Sequence, residues 1–262
     1  MKNIQIFSIV LLLASFCSCQ KVINVNLNSS SPRYVIEGNV TNLPGPYLLT
    51  ITKSVNFNQL NIAPTVSGAT VVITDNNTGL ADTLTETSPG SYSTHTLVGT
   101  PGHKYLMYVN AGGNIFTASS TMPQLVSLDS LYTQESAFRG NSYSVVPVYT
   151  NNTNANSYYY FAEYRNDTET AAVFTRKGSS EVSGVISQSL GGGGDGSSLT
   201  DGDVVLIDMQ CVDSGVYEYY TTLQQTNNQN SATPANPASN IAGGALGYFA
   251  AHTSSQRTVV VP

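Results

Sequence analysis

The feature that most constrains the fold of this chain is a succession of short segments in which apolar and polar residues alternate, separated by turns rich in glycine and proline. The clearest stretch covers residues 68–120. Its turns are Asn76–Gly79, Ser88–Gly90, Pro101–His103 and Gly112–Asn114. Short strands with turns about every 8–12 residues are typical of a β-sandwich. The sequence therefore predicts an Ig-like β-sandwich over residues 33–125.

The regular pattern ends near residue 125, where we place a domain boundary. Strand-like segments continue after it with less even spacing, and the aromatic-rich segment Tyr158–Arg165 is the clearest of them. We therefore expect residues 126–262 to form a second β-rich domain, so that the fold class is mainly all-β.

One segment of the second domain predicts a helix. Between Ser214 and Gln225 the apolar residues recur at helical spacing, and Asp213 or Ser214 can act as the N-cap. Further on, the apolar segment Ile241–His252 contains glycines, and we expect it to be a kinked closing strand. The second domain is thus predicted to contain one short helix.

Residues 1–18 have the composition of an export signal, with a basic start and an apolar run, Ile4–Phe16, that is too short for a stable membrane span. The run is followed by a small residue and Cys19, which resembles the lipobox of bacterial lipoproteins. We therefore predict a signal peptide, a lipid on Cys19, and a tether over residues 19–32. The alternative is an ordinary secreted protein whose leader contains cysteines.

The composition excludes some partners. Only 10% of the residues are charged, and the formal net charge is −6, so phosphate backbones would be repelled and nucleic acid is not expected to bind. Once Cys17 is removed and Cys19 is acylated, Cys211 is the one remaining thiol and cannot form an intrachain disulfide. Because it lies in an apolar segment, we expect it to be a small buried hydrophobic residue.

No catalytic motif is recognisable. The three possible imidazole bases, His95, His103 and His252, lie in no known motif, and we expect them to be isolated surface or strand residues. The chain has no Gly-x-Ser-x-Gly elbow, no zinc helix and no phosphate-binding loop. The sequence therefore predicts a protein that is not an enzyme and has no cofactor.

The acidic residues leave two questions open. Asp195, Asp201, Asp203 and Asp208 offer oxygen ligands within a short span, but their spacing is not that of a calcium-binding loop, so no metal is predicted. A glycan-active hydrolase remains the alternative function. It would use paired acids such as Asp201, Asp203 or Glu218, because a carboxylate pair that the fold assembles cannot be recognised from spacing.

Tyrosine is the residue type that most favours binding, since the chain has sixteen tyrosines and no tryptophan. Tyrosine offers a rigid amphipathic surface that suits a sugar ring or a protein partner, although we expect most of these tyrosines to fill the core. Tyr158, Tyr160 and Tyr164 would share one face of a strand. We predict that these three, with Tyr248, form a surface for a ligand or partner.

Three blocks of the sequence together resemble the Bacteroidota lipoproteins grouped as domain of unknown function 4249. The first block is the leader that ends at Cys19. The second runs from Gly68-Ala69-Thr70-Val71 to Met122-Pro123, and the third is the tail from Asn236-Pro237 to Gly243-Gly244-Ala245-Leu246-Gly247-Tyr248-Phe249. The resemblance implies an N-terminal sandwich of the transthyretin-like or carboxypeptidase-regulatory-like kind, and it assigns no activity to the protein.

The resemblance also implies a location and partners. Its members are similar to outer-membrane lipoproteins that occur with TonB-dependent transporters, so we expect a membrane contact through the lipid, a transporter partner, and a glycan or peptide ligand. The periplasmic and the surface face of the membrane both remain open, and a surface adhesin is a further alternative. Two tripeptides around Thr83 and Ser130 resemble the O-glycosylation signal of exported Bacteroidota proteins, which implies sugars on these hydroxyls.

Overall fold

The computed structural model describes residues 31–56, 62–135, 142–151, 157–190, 199–227 and 236–262. The predicted signal peptide, Cys19, most of the tether and Asp195 lie outside these ranges. Residues Pro32–Pro262 form one compact unit.

The described part of the chain is mainly β, as predicted, with sixteen strands and one α-helix. The helix, α1, covers Ser214–Asn227. The strands are β1 (Tyr34–Thr41), β2 (Leu48–Lys53), β3 (Thr70–Asp75), β4 (Ala81–Thr83), β5 (Thr85–Ser88), β6 (Ser91–Ser93), β7 (Lys104–Ala111), β8 (Asn114–Thr121), β9 (Leu128–Glu135), β10 (Tyr143–Asn151), β11 (Tyr158–Arg165), β12 (Thr168–Lys177), β13 (Gly184–Ser187), β14 (Val204–Val212), β15 (Ile241–Ala242) and β16 (Leu246–Val260).

The strands form three sheets. The largest has eight strands in the order β12-β11-β14-β16-β1-β2-β6-β5, and the others have the orders β15-β8-β7-β3-β4 and β13-β10-β9. Within the large sheet, β1 pairs in parallel with β16, so that Ile36 lies beside Gly247. Strands from both sides of residue 125 therefore share one sheet. The division of the chain at that residue stays a prediction.

Two apolar cores give the molecule its sandwich-like layers. The first core lies between the five-stranded sheet and the β1, β2 and β6 part of the large sheet, and Leu49, Tyr105 and Phe249 are among its buried members. The second lies between the three-stranded sheet and β11 and β14, and it contains Phe161 and Met209. The long strand β16 contributes to both cores, which makes it the main link between the two halves of the large sheet.

The helix lies where the sequence predicts it. Asp213 is the N-cap, because its Oδ1 accepts a hydrogen bond of 3.0 Å from the Val216 amide. The other carboxylate oxygen accepts a bond of 2.7 Å from the Ser120 hydroxyl and one of 3.0 Å from the Thr121 amide. Asp213 therefore joins the start of α1 to β8. No helix within the described ranges is long and apolar enough to cross a membrane.

Two of the expected strands are each divided in the structure. The expected closing strand is β15 followed by β16, because Gly243 and Gly244 have φ angles of 96° and 85° and turn the chain between two different sheets. Similarly, β4 and β5 lie in different sheets although only Leu84 separates them. The chain changes sheets at this buried leucine, which belongs to the first core.

Candidate functional site

The strand β11 carries consecutive aromatic residues that point alternately to opposite faces of the large sheet. Tyr159 and Phe161 are buried in the second core. Tyr160 and Ala162 lie on the other face, in a cluster with residues of α1 and with Ala250 of β16. One strand thus supplies both an apolar core and a second, different surface.

This second surface, the tyrosine face, consists of Tyr158, Tyr160, Tyr164, Tyr217, Tyr219, Tyr220 and Tyr248. The four tyrosines that the sequence predicts as a ligand surface all lie in it, although they come from two strands that are far apart in sequence. Tyr160 is buried with 6% exposure, whereas Tyr158, Tyr164 and Tyr248 are half-buried. The fold therefore brings all four predicted residues together.

Ring contacts hold the tyrosine face together. The rings of Tyr160 and Tyr220 are stacked, with centroids 3.7 Å apart and an angle of 7° between their planes. The Tyr219 and Tyr248 rings have centroids 4.8 Å apart. Because aromatic pairs at such distances add stability beyond their buried area, part of each ring serves the core, as we expect for most of these tyrosines. The half-buried rings keep some surface for contact with a second molecule.

Three carboxylates lie near the tyrosine face, and sequence reasoning did not group them. Loss of surrounding water raises the pKa of Glu37, and the charge of Glu169 raises it further. Desolvation also raises the pKa of Glu169, with a smaller contribution from Asp208. Both glutamates keep an exposed part, whereas Asp208 is buried. Because Glu169 affects the pKa of Glu37, and Asp208 affects the pKa of Glu169, the three carboxylates lie close together on this side of the sheet.

Asp208 is the most deeply placed of the three. Its carboxylate accepts hydrogen bonds from the Ser254 hydroxyl and, at 2.9 Å, from the Gln210 side-chain amide. Burial raises the pKa of Asp208, while these bonds act in the opposite direction. A single carboxylate inside the apolar strand β14 is the sequence signal that could have pointed to this position, because buried charges need partners.

The Tyr164 hydroxyl remains neutral at physiological pH and can donate a hydrogen bond. Burial, together with the charges of Glu169 and Asp208, raises the pKa of Tyr164 to about 12. The Tyr248 hydroxyl accepts a bond of 3.3 Å from the Asn39 side chain. Aromatic rings, neutral hydroxyls and carboxylates in one area can stack on a ring and accept hydrogen bonds from hydroxyl or ammonium groups.

The two residues predicted as O-glycosylation sites are accessible. Thr83 lies on β4 and Ser130 on β9, and both are exposed. Each of these strands is at the edge of its sheet. Attachment of sugars to them stays a prediction.

Two of the acids named for the alternative hydrolase, Asp203 and Glu218, lie beyond opposite ends of β14. Asp203 precedes β14, where its carboxylate accepts bonds from the Thr200 amide and the Asn166 side chain. Glu218 is exposed on α1, which follows the opposite end of that nine-residue strand. Within the described ranges, no three His, Cys, Asp or Glu side chains are close enough to hold a metal ion.

The prediction of isolated histidines is wrong for two of the three. His95 Nδ1 lies 3.2 Å from Asp82, and His103 Nδ1 lies 2.8 Å from Asp75. His252 is buried on β16, as a strand residue. The histidine pairs were missed because each partner lies at least thirteen residues away in the sequence.

The Cys211 thiol lies where the sequence predicts it. Cys211 is on β14 and is buried in the second core with 3% exposure. Its neighbours there are apolar, and burial raises the pKa of the thiol. It therefore packs as a small hydrophobic side chain.

Together, the fold and this surface define the class: a mainly β protein of sandwich-like layers that presents a tyrosine face bordered by carboxylates. The chain belongs to the family described as Domain of unknown function (DUF4249), whose model matches residues 20–258. The family membership indicated by the resemblance is thereby confirmed. No curated protein matches the chain.

Proposed function

We propose that this protein is a lipid-anchored lipoprotein of the bacterial cell envelope, held at the outer membrane by acylated Cys19, and that it acts as a non-catalytic binding or accessory component. The support for the anchor is the leader, in which an apolar run ends in a small residue followed by cysteine. The compact unit that begins at Pro32 then lies at the end of a short polar tether.

The tyrosine face is the proposed binding surface. The observation that carries this proposal is the presence of three carboxylates beside half-buried tyrosine rings. Carboxylates with raised pKa values lower the stability of the fold, and such groups are common at binding sites. A glycan can stack on the rings and donate hydrogen bonds from its hydroxyls to the carboxylates. A peptide can do the same with an aromatic ring and an ammonium group.

The proposed partner is a TonB-dependent nutrient transporter, to which the lipoprotein would present its ligand. This part of the proposal depends on family resemblance. Affinity purification of the tagged protein from outer membranes, followed by mass spectrometry, tests it. We expect a transporter to copurify with the wild-type protein and to be lost with Cys19→Ala. Recovery of no envelope protein would contradict the proposal.

The anchor has its own test. Cells that express the wild-type protein should incorporate labelled palmitate into it, and Cys19→Ala should abolish the label, with Cys17→Ala as the matched control that retains it. Labelling that survives Cys19→Ala would show that the predicted lipid site is wrong.

The binding surface is tested by calorimetric titration with neutral oligosaccharides and with lysine-rich peptides. Tyr164→Ala and Glu169→Gln should each weaken binding of whichever probe, oligosaccharide or peptide, binds to the wild-type protein. Tyr108→Ala is a suitable control, because this tyrosine is 38% exposed on the five-stranded sheet, away from the tyrosine face. Equal weakening by the control would contradict the assignment.

A further inference from the structure

Beside the first core, three polar side chains form a linear set of contacts. Thr85 on β5 has its hydroxyl oxygen 3.0 Å from His95 Nε2, and His95 Nδ1 lies 3.2 Å from the Asp82 carboxylate on β4. Asp82 and Thr85 lie on either side of Leu84, where the chain changes sheets. His95 reaches them from the segment that follows β6.

The Asp82 carboxylate is fixed in place. Its Oδ2 accepts backbone hydrogen bonds of 2.9, 2.7 and 2.9 Å from the amides of His95, Thr96 and Leu97. Burial acts to raise the pKa of Asp82, but these bonds and the imidazole outweigh burial and lower it to about 2. The carboxylate is therefore ionised at neutral pH, and its Oδ1 remains directed at His95.

This arrangement determines the role of each imidazole nitrogen. Because an ionised carboxylate only accepts hydrogen bonds, the Nδ1 atom carries the proton of the neutral ring. The Nε2 atom then has a free lone pair and accepts the hydrogen bond from the Thr85 hydroxyl. A hydroxyl, a basic nitrogen and an orienting carboxylate in this order are the parts of an activated nucleophile.

A cavity of about 610 Å³ has His95 among its lining residues. Its walls are the β1–β2 connection and the segment after β6, and they include His95, Leu43, Pro44 and Val98. Leu43 and Val98 have exposures of 40% and 69%, so the cavity offers apolar surface. Thr85 is itself exposed, which leaves its hydroxyl accessible from solvent. Thr85 is not itself among the lining residues, so an ester whose apolar group occupies the cavity would extend past His95 to reach the Thr85 hydroxyl.

We propose that Thr85, His95 and Asp82 form an acyl-transfer site for small esters that carry an apolar group. This inference goes beyond the proposed binding role, which concerns the tyrosine face, and uses a different part of the molecule. If it holds, the non-catalytic description applies to the tyrosine face and not to the whole protein. Thr85 and His95 are the catalytic residues, and Asp82 is a positioning residue.

In the first step, the Thr85 oxygen forms a bond to the ester carbonyl carbon while its proton moves to His95 Nε2. The bond between the acyl carbon and the alcohol oxygen then breaks, and the leaving oxygen takes the proton from His95 Nε2, which releases the alcohol and leaves an acyl-threonine ester. Water adds to this ester with His95 as base, and the carboxylic acid and the free threonine are formed. No oxidant or further reactant is needed.

A second imidazole–carboxylate pair, His103 and Asp75, provides an internal control. His103 Nδ1 lies 2.8 Å from Asp75, and several hydrogen bonds hold that carboxylate, so the imidazole–carboxylate pair is the same. Among the contacts of the described residues, however, no hydroxyl is bonded to the other nitrogen of His103. Loss of His103 should therefore leave an acyl-transfer activity unchanged.

The test uses the full-length protein in detergent with p-nitrophenyl butyrate as substrate, and with a fluorophosphonate as covalent probe. We expect slow hydrolysis that Thr85→Val and His95→Gln lower by about 10²-fold, which is the range of one general base. We expect Thr85→Ser to retain the activity and His103→Gln to leave it unchanged. The phosphonate adduct should map to residue 85.

Thr85→Val has nearly the shape of threonine, and Thr85 is exposed, so this variant should fold; thermal unfolding checks it. A wild-type rate equal to that of Thr85→Val would overturn the proposal, as would an adduct on another residue. Equal losses in His95→Gln and His103→Gln would also overturn it. None of these outcomes bears on the lipid anchor or the tyrosine face, so failure here is distinguishable from failure of the proposed function.

Discussion

The two faces of the sheet at β11 and β14 have different surroundings, although the same two strands form both. On one face Phe161 and Met209 are fully buried in an apolar core. On the other face, the neighbouring positions hold Tyr160 and Asp208, which lie among hydroxyls, amides and a second carboxylate. The first face is apolar, as burial favours. The second face retains polar and ionisable groups whose burial lowers the stability of the protein.

Burial by itself therefore does not distinguish the two faces. Asp208 has 6% exposure and Tyr160 has the same value, yet their surroundings raise the pKa of both groups. A purely structural face would be more stable with apolar side chains of similar volume. Substitutions on the two faces can therefore separate a structural role from a functional one.

The largest effect is expected where β1 meets β16, since this pairing joins both halves of the sheet. Gly247 has a φ of 89°, and an added Cβ would overlap the Ile36 carbonyl oxygen and lie 2.8 Å from its carbon. We expect Gly247→Ala to reduce the free energy of unfolding by about 5 kcal/mol. Urea denaturation followed by circular dichroism measures it.

Gly244→Ala is the matched control for that variant. Gly244 has a φ of 85°, but nothing lies within 4 Å of an added Cβ. Only the backbone conformation is then penalised, by about 1 kcal/mol. If both variants lose the same amount, the close approach of β1 and β16 is not what makes Gly247 necessary.

The second effect compares the two faces directly. Phe161→Ala removes a fully buried ring from the second core, and we expect a loss of about 4 kcal/mol in urea denaturation. Tyr158→Ala on the tyrosine face removes a half-buried ring and should cost about 1–2 kcal/mol. Equal losses would show that the tyrosine face is as much a core as the apolar face.

The third effect depends on pH. Burial lowers the pKa of His252 to about 4, and within the described part of the chain its Nδ1 has no hydrogen-bond partner. Because the unfolded chain takes up this proton near pH 6.5 and the native state does not, stability falls as the pH decreases from 7 to 4. The expected loss from this group is about 3 kcal/mol.

Urea denaturation of the wild-type protein and of His252→Gln at several pH values isolates this contribution. The variant should lose less stability than the wild-type protein over the same interval, whatever its stability at pH 7. Parallel curves for the two proteins would mean that other groups cause the pH dependence.

The smallest effect concerns the exposed carboxylate of the tyrosine face. The raised pKa of Glu169 means that its charge opposes folding at neutral pH, so Glu169→Gln should stabilise the protein by up to about 0.5 kcal/mol. The gain should vanish near pH 3, where the carboxyl group is protonated in both states. Thermal unfolding at pH 7 and pH 3 checks it, and a gain that persists at the lower pH would contradict the electrostatic explanation.

The sequence was sufficient where the deciding contacts are local. Alternation of polar and apolar residues predicts most of the strands, and the helix from Ser214 follows from apolar spacing with Asp213 as cap. It was insufficient for β12, whose residues are mostly half-buried and lack clear alternation. The sequence also did not predict that the chain changes sheets at Leu84. The strands β4 and β5 look like one strand in the sequence but lie in different sheets.

By itself, therefore, the sequence determined that the chain is mainly β, that one helix follows β14, and that Tyr158, Tyr160 and Tyr164 share a face. Tertiary structure alone decided that Tyr248 joins them, that Glu37, Glu169 and Asp208 lie near one another, and that Thr85, His95 and Asp82 make contact. The physical reason is that strand periodicity fixes which side a residue points to, whereas the pairing of distant strands fixes its neighbours.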